Sequence, residues 1–426
     1  MSGAGMGSSS WIAGTFNLLS STPYSAESSK SPNKSQCSSS ARRRPAYCKF
    51  SLPANDLKFV LHDALQSSGL DTTHARAARN GFCQQIQKLT DVERETSISI
   101  NRVVDLGKTA LHVAAEDDSL ISHSSVPLPV DDFIDRLDDL SMGYCSHYGS
   151  SFRYPPEKFL ECLDRYLYVD KGFQRSKHSQ VEQRSLYLHS VLTHRSGSAS
   201  MLSLIYSEVL KMLRLWGMVN FDVEVFFPHD SHSSPRGYHK QKSREGDQLH
   251  IMTSQSLLVE ILKDLKNAFW PFQHDPAKSL FFRAAQAANC DTSNSVEESA
   301  LKIASAKAAQ HRLLRGVWTS VQFGDMRRAL AACERLILLE TDPIELRDYG
   351  VLLYHCGFYE MALQYLKLFQ DIQKSSKQEK SYHPSRDLEE EALEKLIIRL
   401  KLIKMEEDWS RPSERTSFLS NNSEPW

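Results

Sequence analysis

Several features are missing from this 426-residue sequence, and each absence removes a class of function. It has 8 cysteines, but no two stand in a C-x-x-C pair, so a structural zinc site is not expected. Scattered thiols fit a chain kept in a reducing compartment. No cysteine lies between Cys162 and Cys290. No apolar run approaches the roughly 20 residues needed to cross a bilayer, so no membrane span is expected. Charge of either sign is not in excess: 51 Lys and Arg face 52 Asp and Glu, for a net charge of −1. That balance gives no global pull toward nucleic acid or an anionic surface. A hydrophobic content of 41% allows a sizeable core, and the length suits two domains plus tails.

Residues 1–48 lack acid; Glu27 is the one carboxylate, while Ser, Gly and Ala dominate and Arg42, Arg43 and Arg44 come near the end. This composition suits a plastid transit peptide that is removed and disordered, with a mitochondrial presequence as the alternative. Ser outweighs Arg and no Arg-studded amphipathic helix is present, which favours the chloroplast. Gly3, Gly5 and Gly7 imitate a dinucleotide loop, but no strand precedes them.

What is present is organised around residues 185–228. Leu202, Ile205, Val209, Leu213 and Trp216 recur at steps of three and four, marking one face of a helix. Met201, Leu204, Met212 and Leu215 widen that face until the helix reads as apolar nearly all round and central to a domain. Ser196, Gly197 and Ser198 precede it, where a hydroxyl can satisfy free backbone N–H groups. Gly217 is placed to end it in a left-handed cap. Phe221, Val223, Val225 and Phe227 then alternate with Asp222, Glu224 and Phe226, which is strand period.

This turn, helix and strand resemble the SirB-type branch of the transglutaminase-like superfamily. There an Arg-x-Gly turn enters a helix of leucine, serine, two aliphatics and tyrosine, and a strand ending in Phe-Pro follows. The matching residues are Arg195, Gly197, Leu202, Ser203, Leu204, Ile205, Tyr206, Phe227 and Pro228. The resemblance extends from about residue 106 to 280 and implies a mostly α (α+β) fold. Its core would be helical with a small antiparallel sheet, the domain occupying residues 50–285.

Elsewhere the periodicities are helical. Residues 56–89 carry stripes of Leu57, Val60, Leu61 and Leu65, then Ala75, Ala78 and Phe82, and residues 98–115 continue them. Two imitations fall here. Gly107-Lys108-Thr109 ends like a phosphate loop, but Arg102 stands where that loop needs its first glycine. Residues 109–114 read like an ankyrin signature that does not recur. After a polar link at 119–130, Asp131 and Asp132 open a helix with Phe133, Ile134, Leu137 and Leu140 inward. Its aspartates, which continue through Asp135, Asp138 and Asp139, lack the glycine of a calcium loop and read as a solvated face. Residues 155–172 give a helix with Phe159, Leu163 and Leu167 inward, 173–183 a polar turn, 229–246 a long polar loop, 248–253 a returning strand and 256–269 a further helix.

In the tail, Gly324-Asp325-Met326-Arg327-Arg328-Ala329-Leu330 aligns with Gly357-Phe358-Tyr359-Glu360-Met361-Ala362-Leu363. The offset of 33 is close to a tetratricopeptide period. About two helical hairpins are expected over 300–372, capping the first domain, with a last helix over 388–405 and a disordered end from 406.

Chemistry is harder to place. Active transglutaminase-like enzymes hold a Cys at the start of the buried helix, with a His and an Asp on following strands. A helix N-terminus stabilises a thiolate, and a His in reach acts as base. The resemblance puts that Cys two residues after the turn glycine, and this chain has Ala199 there. Ser198 and Ser200 flank it; for Ser198 a helix cap is the simpler role. His229 follows Phe227-Pro228 as the family's His does, but no apolar strand follows it, and His250 lies on a better strand. His229, His232 and His239 share one loop without a fixed carboxylate or thiol, so neither metal nor cofactor is expected. The degenerate-pocket candidates are Ser198, Ala199, His229 and His250, with no catalytic residue assigned. The leading expectation is a non-catalytic plastid protein acting through an unnamed protein partner. An acyl-transfer or hydrolase enzyme with a Ser nucleophile is the alternative, and a pure scaffold the third.

Overall fold

The computed structural model describes residues 57–67, 69–91, 94, 98, 103–122, 126–176, 182–228, 233–239, 252–272, 277–288, 324–375 and 384–409. The N-terminal segment 1–48, His229, His250, residues 289–323 and those after Trp409 lie outside them. Among the described residues the fold is mostly helical, as the resemblance implies, with two two-stranded sheets.

Two helices lead. Helix α1 (Val60–Ser67) buries Leu61 and Leu65, and α2 (Thr73–Ile86) buries Ala75, Ala78 and Phe82. Helix α3 (Leu106–Ser122) starts later and runs further than its apolar pattern suggests. The polar residues Glu116 and Asp117 continue the helix because they are buried against arginines, a pairing that apolar periodicity cannot register. Helix α4 (Val130–Tyr148) opens on Asp131 and Asp132, both exposed, and turns Phe133, Leu137 and Leu140 inward. Helix α5 (Pro156–Asp164) continues into a π-helical turn, Arg165–Asp170.

The segment expected as a polar turn instead contains β1 (Gln174–Arg175). It pairs in parallel with β2 (Ser196–Gly197), which follows α6 (Leu188–His194). Arg195 lies between α6 and β2 at φ 61, a left-handed conformation unusual outside glycine, and its N–H donates to the Val191 carbonyl at 2.8 Å. Gly197 has to be glycine for packing: a Cβ there would come within 2.8 Å of Val191 Cγ1. Both conserve the tight approach that sets up α7 (Ala199–Leu215).

Helix α7 is the centre of the larger core cluster. Leu202, Leu204, Ile205, Val209 and Leu213 are all buried in it, and the helix packs against α3, α4 and α8 (Ser254–Phe269). The helix ends as expected at Gly217, φ 71, with the Met218 N–H returning to the Leu213 carbonyl. It is not apolar all round in its surroundings: Leu215 and Trp216 are 52% and 39% exposed. The last turn projects past the neighbouring helices, so spacing alone overstates the buried face.

Strand β3 (Val223–Phe226) pairs antiparallel with β4 (Arg236–His239), aligning Val223 with His239 and Phe226 with Arg236. The returning strand therefore falls inside the stretch expected as loop, twelve residues before the expected one; residues 248–251 lie outside the described residues. Strand β4 carries no apolar alternation and so gave no signal. What it needs is Gly237, where a Cβ would meet Leu160 Cδ2 at 2.8 Å and the Tyr206 hydroxyl at 2.9 Å.

The tail contains α9 (Leu280–Ala288), α10 (Met326–Leu338), α11 (Ile344–His355), α12 (Tyr359–Ser375) and α13 (Pro384–Trp409). Ala329 and Ala362 are fully buried. Helices α11 and α12 approach closely: a Cβ on Gly350 would fall 2.8 Å from Leu366 Cγ. Helix α13 extends beyond Met405, into part of the end expected to be disordered.

The described residues fall in one compact unit, and charge joins its front to its tail. Arg79 of α2 donates to both Glu116 oxygens at 2.8 and 2.6 Å and to Glu334 of α10 at 2.9 Å. Arg335 reaches Asp117 at 2.5 Å and Glu116 at 3.0 Å. Tyr187 and Tyr349 donate to Asp117 and Glu334 at 2.7 and 2.9 Å. Further along, Lys266 of α8 lies between Glu345 and Asp348 of α11 at 2.6 and 2.9 Å.

Gly324 stands at this junction. Its φ is +73, and a Cβ would lie 2.5 Å from Pro271 Cα and 2.7 Å from the Trp270 carbonyl oxygen, both backbone atoms that cannot rotate away. Gly324→Ala is expected to cost roughly 2–4 kcal/mol, from left-handed strain plus overpacking. Gly69→Ala is its control, with φ +88 and nothing within 4 Å, and pays only the conformational cost of about 1 kcal/mol. Chemical denaturation of both variants measures the difference.

Candidate functional site

The start of α7 is built as a cap. Ser198 takes an extended conformation, φ −64 and ψ 165, and its Oγ accepts from the Met201 N–H at 3.2 Å. This fulfils the capping role expected of it. Ala199 begins the helix and is 7% exposed, so a methyl group occupies the first helical position.

The two hydroxyls beside it are not free. Ser200 Oγ donates to Asp264 Oδ2 at 2.6 Å, and Ser198 Oγ lies 2.8 Å from Ser200 Oγ. Because the Ser200 proton goes to the carboxylate, Ser198 must be the donor in that contact. The chain runs in one direction: Met201 N–H to Ser198, Ser198 to Ser200, Ser200 to Asp264. Burial pushes the Asp264 carboxyl up to about 6, against the lowering effect of the Ser200 hydrogen bond. Near neutral pH it is ionised and accepts.

Asp264 lies on α8, between the inward residues Leu262 and Leu265, and sequence reasoning passed over it. A carboxylate beside an apolar stripe is the available signal, but its partner is 64 residues away. A second half-buried carboxylate meets α7. Tyr206 donates to Asp164 at 2.9 Å, and burial raises Asp164 to about 6. Ser203 is fully buried on the same helix.

Of the four pocket candidates, Ser198 and Ala199 come together at the cap, while His229 and His250 lie outside the described residues. The described cysteines are Cys83, Cys145, Cys162, Cys333 and Cys356, none on α7. Among the described residues no cluster of His, Cys, Asp or Glu could hold a metal ion, and no helix is long and apolar enough to cross a membrane.

The site can therefore anchor a helix and hold a polarised hydroxyl chain against a half-buried carboxylate. It presents neither a thiol nor an imidazole at Ala199 among the described residues. No curated protein and no solved structure matches the chain. A family model described as the transglutaminase-like superfamily matches residues 131–221. The match takes in α4 to α7 and the capped start of α7, and it stops short of His229, His250 and Asp264. Residues 131–221 are a transglutaminase-like superfamily domain, embedded in a longer helical chain.

Proposed function

We propose that this transglutaminase-like domain is degenerate, and that the protein is non-catalytic and works by binding a protein partner. The observation that carries this is Ala199. A methyl group starts the buried helix where the resemblance calls for a thiolate, and the adjacent hydroxyl protons are already donated to Ser200 and Asp264. A helix N-terminus there offers partial positive charge but no atom able to attack a carbonyl. The tetratricopeptide-type reading of the tail supports the binding role, since paired helices of that kind present surfaces rather than reaction centres. Membership of the SirB-type branch rests on Arg195, Gly197 and the helix they introduce. The plastid address rests on the acid-poor, Ser-rich composition of residues 1–48. A mature protein whose N-terminal sequence began at Met1 or Ser2 would remove that support.

The expected outcome is no amide crosslinking and no peptidase turnover by purified protein. Ala199→Cys should still give no turnover, because the adjacent groups are a carboxylate and two hydroxyls.

The second reading, an acyl-transfer or hydrolase enzyme with a Ser nucleophile, is favoured by one observation: the Ser198–Ser200–Asp264 chain. A carboxylate near pKa 6 is a weak base for an alcohol, and efficient proton transfer needs better matching. Turnover by the natural protein that disappears in both Ser198→Ala and Ser200→Ala would establish that reading and end the first.

A further inference from the structure

The outer face of α13 carries a pattern that neither the domain nor the hydroxyl chain explains. Its inner face is spent: Leu393, Leu396, Ile397 and Leu400 are buried against the tail cluster. On the opposite side Leu388, Ile398, Leu402 and Met405 are 54%, 56%, 55% and 60% exposed. With Glu391 and Lys395 they recur at alternating steps of three and four. This is the spacing of a coiled-coil seam, distinct from the face already packed. An outer helix of a stacked array ordinarily turns a polar face to solvent.

Charge on the same side is segregated. From 387 to 394 the exposed charges on this side are Asp387, Glu391 and Glu394, and from 395 to 401 they are Lys395 and Lys401; Lys404 turns to Glu360 at 3.3 Å on the packed side, and Glu406 follows the seam's last residue. A parallel copy would set acid against acid and base against base. An antiparallel copy sets the acidic half of one helix against the basic half of the other. It is also the arrangement a two-fold axis produces, with the same surface used on both sides. The seam spacing selects a register: Leu388 opposite Met405 of the second copy, Lys395 opposite Ile398, and Glu391 opposite Leu402. Glu394 then lies along the edge from Lys401 of the second copy. Glu391 and Lys395 sit near the middle of the seam and pair within each helix at 2.7 Å.

We propose that α13 is a homodimer interface, two copies packing antiparallel along Leu388, Ile398, Leu402 and Met405 with Glu394 facing Lys401 across the two-fold axis. This goes beyond the binding reading above and does not depend on it, since it concerns a second copy of this chain. The apolar contact is short and carries two polar residues in its seam, so the association is reversible and concentration dependent.

The test is sedimentation equilibrium of the full chain from about 1 to 200 µM, a range spanning affinities typical of modest interfaces. A monomer–dimer equilibrium is expected. Leu402→Asp should leave a monomer throughout that range with an unchanged thermal melt, because the side chain is on the solvent side of the monomer. Glu394→Lys should weaken the dimer at least tenfold, and Glu394→Lys combined with Lys401→Glu should restore it. The restoration separates antiparallel pairing from general stickiness. A natural protein that stays monomeric at the highest concentration would overturn the proposal. So would a dimer indifferent to Leu402→Asp, or one that the double charge exchange fails to rescue.

Discussion

Glu116→Ala is expected to abolish cooperative folding or to leave a protein several kcal/mol less stable than the natural chain. Glu116 is fully buried and accepts from Arg79 at 2.8 and 2.6 Å, with Arg335 at 3.0 Å and His62 at 3.2 Å beside it. Removing it leaves two guanidinium groups in the interior sharing Glu334 and Asp117. Breaking a buried ion pair by deleting one partner costs about 3–5 kcal/mol, against a total stability of roughly 5–15 kcal/mol for a domain. Glu116→Gln should be nearly as damaging, since it keeps the shape and loses the charge. A thermal melt followed by circular dichroism measures both. The large cost of breaking the network does not make it a large net source of stability, because its charges were desolvated to build it.

The same residue sets a pH dependence. Burial alone would raise the Glu116 carboxyl, but Arg335 and Arg79 outweigh that and hold it well below the ordinary carboxylate range. The native pKa is below the unfolded one, so between the two the unfolded chain binds more protons and stability rises with pH. The contribution is complete above the unfolded value of about 4.3 and is lost as pH falls through the folded one. Stability measured downward from pH 7 should therefore hold its Glu116 contribution to about pH 4 and lose it below. In Glu116→Gln that acid-side loss should be smaller.

Leu213→Asp is the second large effect, and its control makes it informative. Leu213 is fully buried in the central core, while Leu215, two residues on, is 52% exposed. An aspartate at 213 buries a carboxylate with no partner, at a cost of several kcal/mol, comparable with the whole margin of folding. Leu215→Asp should cost no more than about 0.5 kcal/mol, as surface substitutions do. Urea midpoints for the two variants will separate them. A cooperative, stable Leu213→Asp protein would show that α7 is not the centre of the fold.

That pair also marks the limit of reading α7 from spacing. Its cap at Ser198 and its end at Gly217 were legible, because each depends on one residue meeting a local backbone need. Its exposed last turn was not, because which apolar residues are covered depends on where neighbouring helices stop. Strand β4 was hidden for a similar reason: it is held by pairing with β3 and by the absence of a side chain at Gly237, and neither leaves an apolar alternation.

The candidate site divides in the same way. That no thiol stands at Ala199, and that no cysteine lies anywhere between Cys162 and Cys290, is a property of the sequence and needs no coordinates. The helical class, the capped central helix and the lack of a membrane-crossing run also follow from composition and local periodicity, which act over a few residues. Asp264 beneath Ser200, and the cluster of Arg79, Glu116, Asp117, Glu334 and Arg335, were decided only by the tertiary structure. Their partners are separated by 64, 37, 219 and 255 residues. A charged residue looks solvated until an opposite charge from elsewhere in the chain is brought against it, and only the completed packing does that.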